Sequence, residues 1–216
     1  MQKLPSLELG YCYHIYNRGI NHEEIFFEER NYRYFLELYA KYIEPIADTY
    51  TYCLLKNHFH LLNRIKTEEE QRETFQVSSA PKEPHNLEGP GSQIFKLLNP
   101  TQQFSNFFNA YAKAINKAYN RTGGLFQERF GRVLVTLDEY FATLVTYIHR
   151  YPQKHGFVDD YREYPYSSFA AFCSNKPTRI KRDLVLDWFN GKDWFMQVHQ
   201  ESVNESKIKR LIVDDD

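Results

Sequence analysis

Two histidines that lie one residue apart are the clearest candidates for chemistry in this sequence. His58 and His60 stand between apolar runs in CLLKNHFHLL, residues 53 to 62. Alternate residues of a β-strand point to the same face, about 7 Å apart, so both imidazoles can converge on one point while Phe59 faces the other way. Two converging imidazoles suit a divalent metal, although two nitrogens do not complete a site. The alternative is a pair of hydrogen-bonded histidines on a half-exposed sheet.

The segments around this motif predict that it belongs to an antiparallel sheet. Residues 11 to 17, YCYHIYN, alternate aromatic and β-branched side chains as a strand does, and the turn-forming NRG overlaps their end. The segment EERNYRYFLELYAKYIEPI has apolar residues at helical spacing, and Pro45 marks its end. YTYCLL (50–55) and HFHLLNRI (58–65) are β-prone, and the short Lys-Asn link between them predicts a hairpin.

The second half of the chain adds one more strand and two more helices. A helix is predicted over about 100–120, a strand over 132–137, and a further helix that begins at Asp138 as its cap. The order strand, helix, hairpin, helix, strand, helix is typical of an α+β domain whose antiparallel sheet is similar to the ferredoxin-like plan. We therefore predict helices packed on one antiparallel sheet.

Two segments depart from this pattern. Residues 67–94 are polar and rich in Pro, Ser, Gly and Glu, so we predict a mobile loop there, inside a domain that spans 1–163. Residues 164–216 are predicted to form a C-terminal extension with short helices. The acidic end of that extension, DDD, is predicted to be disordered.

Composition limits the classes of function that these elements can serve. The chain has 216 residues, a net charge of −1 and an aromatic content of 17%. Because the chain is nearly neutral, any contact with nucleic acid must rest on a local basic patch. Three scattered cysteines, and the lack of an apolar stretch of signal-peptide or membrane-spanning type, predict a cytoplasmic protein without a membrane partner.

Five motifs occur in an order that resembles a known family. They are YHIYNRG, LLKNHFHLL, AYAKAINKAYNRTGGLFQERF, YIHRYPQKHGFV and YPYSSF, and they extend over nearly the whole chain. The chain resembles the HUH (histidine–hydrophobic–histidine) single-tyrosine transposases of the insertion-sequence-200-like kind, especially the REP-associated tyrosine transposases. The resemblance implies an HUH endonuclease fold and an enzyme that cuts single-stranded, hairpin-forming DNA through a 5′-phosphotyrosine intermediate. It would act as a monomer or a homodimer.

The resemblance also implies a metal, which meets an electrostatic need of this reaction. A tyrosine with a pKa of about 10 is mostly protonated at neutral pH, and a phosphodiester repels anions. A divalent ion, Mg²⁺ or Mn²⁺, would offset that charge, and the family motif makes His58 and His60 its ligands. Relatives commonly take a third ligand from the tyrosine helix, about one turn onward. Asn116 is the nearest polar candidate there, or else part of a solvent-facing polar stripe.

Tyr111 is the nucleophile that the family pattern implies, on the helix after the hairpin. Phe104 and Ile115 share its helix face, so the alternative is that Tyr111 is a core residue. Both interpretations hold if this face packs on the histidine side of the sheet. Tyr119 is the second candidate nucleophile. A further departure from the family is Tyr151, where relatives often carry asparagine before the proline.

Basic side chains near these motifs are the predicted DNA contacts, although lysines on a helix surface are often only solvated. Asn17 and Arg18 in YNRG are predicted to contact substrate near the active site. Phosphate contacts made by basic clusters would give salt-dependent binding. The other predicted DNA contacts, all basic, are Lys113, Lys117, Arg121, Arg129, Arg132, Lys176, Arg179, Lys181 and Arg182.

Two other classes of function stay open at this point. A domesticated DNA-binding protein of the same fold would keep the DNA contacts without cleavage, and an incomplete set of metal ligands would permit that. A metal-binding or scaffold module without nucleic acid is suggested only by the near-neutral charge. Formation of a covalent protein–DNA adduct with hairpin DNA and Mg²⁺ or Mn²⁺ distinguishes the enzyme from the binding protein.

Overall fold

A four-stranded antiparallel sheet forms the centre of the part of the chain that the structure describes. The computed structural model describes residues 6–79, 95–136, 138–201 and 203–209. The strands lie in the order β2-β3-β1-β4, and each neighbouring pair is antiparallel. The predicted α+β fold, with a ferredoxin-like sheet and a hairpin between β2 and β3, is confirmed. The strands are β1 (Cys12–Arg18), β2 (Ala47–Leu55), β3 (His58–Ile65) and β4 (Gly131–Val135).

Helices pack on both faces of this sheet. None of the described helices has the length and apolar character that crossing a bilayer requires. Short 3₁₀ turns lie at Ile20–His22, Tyr161–Glu163 and Glu205–Ile208. The α-helices of the described residues are α1 (Glu29–Tyr42), α2 (Glu68–Ser79), α3 (Pro100–Ala118), α4 (Asp138–Lys154), α5 (Phe169–Cys173), α6 (Arg182–Trp188) and α7 (Lys192–Gln200).

α1 and α3 pack side by side on the face of the sheet that carries Phe59. The ring centroids of Phe59 lie 5.2 Å from Phe35 of α1 and 5.4 Å from Phe108 of α3. Each helix connects two strands that run in the same direction, β1 to β2 and β3 to β4. Connections of this kind are almost always right-handed, and in this strand order that rule places both helices on one face.

α4 and the C-terminal helices cover the opposite face. The residues that precede α5 run along the free edge of β2, where the Leu54 amide donates a 2.9 Å hydrogen bond to the Tyr166 carbonyl. The Ser168 amide donates a second 2.9 Å bond to the Tyr52 carbonyl. Buried side chains of α4, α5 and α7 then form one apolar cluster with this face of the sheet. The described part of the C-terminal extension therefore shares a core with the sheet.

α2 occupies the first part of the segment predicted as a mobile loop, and that prediction is wrong there. The Glu70 carboxylate accepts a 2.8 Å bond from the Thr67 amide, and the Thr67 hydroxyl accepts one from the Glu70 amide. This reciprocal capping satisfies amide groups that a helix start otherwise leaves unpaired. Gln71 is buried, which fixes the helix on the body of the protein. Residues 80–94 and the C-terminal DDD, for which mobility and disorder were predicted, lie outside the described residues.

A buried histidine pair connects the C-terminal helices to the sheet. His199 Nδ1 donates to the Phe195 carbonyl at 2.8 Å, so its Nε2 accepts a 2.9 Å bond from His149 Nδ1. His149 Nε2 in turn lies 2.7 Å from the hydroxyl of Thr51 on β2 and 2.8 Å from that of Ser168, and its lone pair accepts from one of them. Both rings must be neutral for every bond in this chain to form.

This pair predicts a loss of stability in acid. Burial is the main cause that lowers the pKa of His199 to about 4 and that of His149 well below its usual range. Below a pH of about 6.5 the unfolded chain therefore binds protons that the folded chain rejects, and the free energy of unfolding falls as the pH drops toward 4. We expect the loss attributable to His199 to be about 3 kcal/mol between pH 7 and pH 4.

Urea unfolding of the wild type and of His199→Gln as a function of pH measures this loss. The glutamine variant cannot titrate, so its stability should depend less steeply on pH between 7 and 4 than that of the wild type. Equal slopes for the two proteins would contradict the assignment to His199.

Candidate active site

His58 and His60 lie on the same face of β3, as their spacing predicted. Their ring centroids are 5.3 Å apart, and both rings contact Tyr151 of α4. In the sheet register His58 lies opposite Arg18, and His60 lies opposite Tyr16. The strand pleat therefore gathers two imidazoles, a guanidinium and a phenol on one side of β1 and β3.

A hydrogen bond determines which nitrogen of His58 carries the proton, and a second one orients His60. His58 Nδ1 lies 2.6 Å from the side-chain oxygen of Asn57, which can only accept, so Nδ1 donates. His60 Nδ1 lies 3.0 Å from Nε2 of His14. If His60 donates in that bond, the Nε2 lone pairs of His58 and His60 are both available. A hydrogen bond to the nitrogen that does not bind the metal is the usual means of orienting a metal-binding histidine.

Burial keeps both imidazoles neutral. Desolvation, with a smaller contribution from the Arg18 charge, lowers the pKa of His58 to about 3. Desolvation followed by interaction with His14 lowers the pKa of His60 well below its usual range. Neutral imidazole is the form that binds metal ions, so the pair is ready to act as a ligand at physiological pH.

The histidine pair fits a divalent metal through two nitrogens. Nε2 of His58 and Nε2 of His60 are both buried, and neither has a hydrogen-bond partner among the described residues. A buried polar atom without a partner is costly, and a bound cation would remove that cost. The residues described include no group of three or more His, Cys, Asp or Glu side chains around one point. Within this described part of the chain, any further ligand would therefore be a side chain of another type, and water or substrate could complete the coordination.

Two tyrosines of α4 occupy the histidine face. The ring centroid of Tyr151 lies 4.4 Å from that of His60 and 5.3 Å from that of His58. Tyr147 lies one helical turn earlier, and its ring contacts Tyr151 edge-on at 5.3 Å. Desolvation lowers the pKa of Arg18, and its interaction with Tyr151 partly offsets this shift. Both phenols are therefore close to positively charged groups, since the Lys154 ammonium lies 5.1 Å from the centre of the Tyr147 ring.

Tyr111 lies on the other face of the sheet, so the expectation that α3 covers the histidine side is wrong. Its ring packs among Phe26 and Phe35, at 5.7 and 5.1 Å, in the cluster that contains Phe59. Its hydroxyl is buried and donates a 2.8 Å bond to the Ile25 carbonyl. Burial also raises the pKa of Tyr111 far above its ordinary value, which opposes formation of a phenolate. The structure therefore separates Tyr111 from His58 and His60.

Tyr119 and Asn116 also lie on the α3 side. The Tyr119 hydroxyl bonds to Glu28 and accepts from Asn31 Nδ2 at 3.0 Å, at the start of α1. Asn116 Nδ2 donates a 2.9 Å bond to the Gly123 carbonyl. The structure thus brings neither the second candidate nucleophile nor the expected third ligand to the histidine pair.

Several predicted DNA contacts surround a pocket on the α3 side of the sheet. Asn17, Lys113 and Arg129 line a pocket of about 510 Å³ between α3 and the loop 123–130. Lys117 is exposed one turn further along α3. Arg18 follows Asn17 but points to the histidine face, because successive strand residues alternate.

Apart from Lys176, which is exposed, the remaining predicted contacts are engaged by other protein groups. The ion pair of Arg121 is with Glu23, and Arg132 stacks over Phe130 at 4.7 Å. In the cluster over 176–182, Arg179 binds both carboxylate oxygens of Glu44, and the Lys181 ammonium lies 3.3 Å from the carboxylate of Asp48. The Arg182 guanidinium donates to the backbone carbonyls of Ala171, Ser174 and Lys176. The cluster packs beside Thr49, near the start of β2, whereas Leu55 at the other end of this strand pairs with His58. It therefore does not form one surface with the candidate site.

His14, Tyr147 and Tyr151 were not assigned to the site from the sequence, although each carried a signal. His14 lies two residues before Tyr16 on β1, so both side chains lie on the same face of the sheet as His60, with which Tyr16 pairs. Tyr147 and Tyr151 are four residues apart, which places them on one side of a helix. Neither pattern shows by itself that α4 packs against β3.

Comparison with known proteins agrees with this fold. No family model matches the chain. Over 123 residues the chain is 28% identical to a Haemophilus influenzae protein provisionally named a REP-associated tyrosine transposase, a match that covers 56% of this chain and 58% of the relative. The chain thus spans little more than half the length of this relative.

A solved structure has the same fold. It is that of a REP-associated tyrosine transposase bound to a REP hairpin, with a TM-score of 0.56 and 14% identity over 82% of this chain and 88% of that chain. At this identity the likeness is evidence for the fold. The sequence match and the fold match together confirm the resemblance to the REP-associated tyrosine transposases.

Proposed function

We propose that this protein binds hairpin-forming single-stranded DNA and cleaves one strand at the histidine face. The observation that supports the proposal is the pair of buried, neutral imidazoles whose Nε2 atoms lack partners among the described residues, beside two α4 tyrosines. The similarity to proteins named for tyrosine transposition, one of them solved with a REP hairpin, supports DNA as the substrate. His58 and His60 would hold Mg²⁺ or Mn²⁺.

Tyr147 is the proposed nucleophile. Relatives commonly take their third ligand one turn after the tyrosine, and often carry asparagine at the position of Tyr151. The side chain at 151 also contacts both imidazoles, as a ligand position should. The tyrosine one turn before it on the same helix is Tyr147. A nucleophile at Tyr147 and a ligand position at residue 151 both lie on α4, and this assignment replaces the one to Tyr111 on α3.

The reaction is a transesterification at phosphorus. The Tyr147 phenol loses its proton and its oxygen forms a bond to the scissile phosphorus, while the bond from phosphorus to the 3′-oxygen breaks. The leaving oxygen takes up a proton and becomes a free 3′-hydroxyl. Arg18, on the same face, would stabilise negative charge on the phosphate. A bound divalent ion would supply Lewis-acid stabilisation of that charge.

A covalent-adduct assay tests the proposal. The protein is incubated with a 3′-labelled DNA hairpin that carries single-stranded extensions, with Mn²⁺ or with EDTA, and is denatured before electrophoresis. We expect a labelled protein band only with metal. Tight binding of the hairpin without any adduct would instead support a DNA-binding protein that lacks cleavage, an alternative favoured by Tyr151 at a position where relatives often carry asparagine.

Hairpin binding is expected to be electrostatic and to depend on Lys113. Lys113 is exposed at the α3 pocket, whereas Arg179 is paired with Glu44. Each lysine–phosphate contact contributes roughly 1 to the slope of log affinity against log salt. Fluorescence anisotropy between 50 and 200 mM salt should therefore show a smaller slope for Lys113→Ala and an unchanged slope for Arg179→Ala. Equal slopes for all three proteins would contradict this placement of the DNA.

A further inference from the structure

The pocket between α3 and the loop 123–130 has the chemistry of a nucleobase site. Its volume of about 510 Å³ falls within the range of roughly 300–1,000 Å³ that is usual for small-molecule sites. Phe108, Phe126 and Phe130 form an aromatic wall, with ring centroids 5.6 Å apart for Phe108 and Phe126 and 5.2 Å for Phe108 and Phe130. Aromatic walls of this kind stack unpaired bases without strict sequence preference.

Side-chain amides supply the polar part of the pocket. Asn17, Asn109, Asn116 and Gln127 all line it, and amides can donate to and accept from the edge of a base. The bond from Asn116 Nδ2 to the Gly123 carbonyl orients that amide. Its Oδ1 is buried and has no hydrogen-bond partner among the described residues. A ligand that brings a donor to this oxygen would remove the cost of the unsatisfied acceptor.

The rim of the pocket suits a strand that carries phosphates. Lys113 on α3 and Arg129 on the loop are both exposed, and together they outweigh the single carboxylate of Glu128. Such a rim holds the backbone on either side of an inserted base.

The loop 123–130, which forms one side of the pocket, is hydrogen-bonded to the end of β1, beside the histidine face. The Gln127 amide donates a 2.8 Å bond to the Arg18 carbonyl, and the Ile20 amide donates a 3.0 Å bond to the Leu125 carbonyl. The Asn17 side chain lines the pocket, whereas the Arg18 side chain lies on the opposite face of the sheet, beside the histidines. One strand of DNA that rounds the end of β1 can therefore reach both places.

We propose that this pocket binds one unpaired nucleobase of the DNA strand that continues to the histidine face. The inference rests on the proposed function, because it takes single-stranded DNA as the ligand. It adds a second recognition site, on the opposite side of the sheet from the cleavage chemistry.

The test compares a blunt hairpin with hairpins that carry a single-stranded extension, in which one abasic site is moved along the extension. Affinity is measured by fluorescence anisotropy in EDTA, so that no cleavage occurs. We expect one abasic position to weaken binding about fivefold or more, since a stacked base contributes that much. Asn109→Trp, which fills the pocket mouth, should abolish this position dependence. Gln102→Trp, exposed on the same helix outside the pocket, should preserve it.

The outcomes separate this inference from the proposed function. If no hairpin binds at all, the proposed function fails. If hairpins bind but no abasic position weakens binding, or if both tryptophan variants behave alike, the nucleobase site is wrong while hairpin binding stands.

Discussion

Tyr147→Phe is expected to abolish the covalent protein–DNA adduct completely. The substitution removes only the phenol oxygen, and a phenylalanine at this position retains the edge-on contact with Tyr151 at 5.3 Å. Water can hydrolyse a phosphodiester, but it cannot attach DNA to the protein, so no residual adduct should form. The measurement is electrophoresis of denatured protein after reaction with 3′-labelled hairpin DNA and Mn²⁺.

Tyr111→Phe is the matched control, because the structure places that phenol on the other face of the sheet. The adduct should form as in the wild type. The stability should nevertheless fall by about 1–3 kcal/mol, because the buried Ile25 carbonyl loses the donor that Tyr111 supplies. Loss of the adduct in a folded Tyr111→Phe protein, together with its retention in Tyr147→Phe, would restore the assignment to α3 and refute the present one.

Tyr151→Phe separates the two α4 tyrosines. If Tyr147 is the nucleophile, the Tyr151 variant should still form the adduct, since its ring contacts with His58 and His60 do not need the hydroxyl. Tyr151→Asn would restore the residue that relatives often carry, and we expect it to bind Mn²⁺ more tightly than the wild type. An adduct that disappears in Tyr151→Phe and survives in Tyr147→Phe would make Tyr151 the nucleophile.

Replacing either histidine of the pair is expected to remove cleavage and leave hairpin binding largely intact. His58→Gln and His60→Gln avoid the large cavity that alanine would leave in this buried site. Each variant loses one of the two Nε2 atoms that would bind the metal, so we expect Mn²⁺ affinity and adduct formation to fall by about 100-fold or more. Hairpin affinity comes mainly from basic side chains elsewhere, and it should change little.

Mn²⁺ binding by calorimetry and adduct formation are measured together for these variants. His199→Gln is the matched control, because His199 is an equally buried histidine whose contacts lie among α4, α7 and the C-terminal residues. It should lose stability in the manner described above without losing metal affinity. If the wild type binds no Mn²⁺, or if His58→Gln binds it as well as the wild type does, the metal site is wrong.

The sequence alone determined the features that depend on local geometry. Strand side chains alternate with a period of two, so the orientation of His58 and His60 to one side followed from their spacing. The short link between β2 and β3, the start of α4 at Asp138 and the helical spacing over α1 and α3 are equally local, and these elements formed where the pattern predicted them. The resemblance to REP-associated tyrosine transposases is likewise a property of the sequence, because it rests on short motifs and their order along the chain.

Which helix faces the histidines depends on long-range packing, which no local pattern reveals. Tyr111 and Tyr147 both lie on apolar helix faces, and β3 carries apolar residues toward both sides, with Phe59 toward one and Leu62 toward the other. Hydrophobic periodicity shows that a face is buried but not what it is buried against. The handedness of two crossovers placed α3 on the Phe59 side, and the histidine side remained for α4. The ion pair between Arg179 and Glu44 likewise could not be read from the sequence, because these residues are 135 positions apart and only folding brings their charges together.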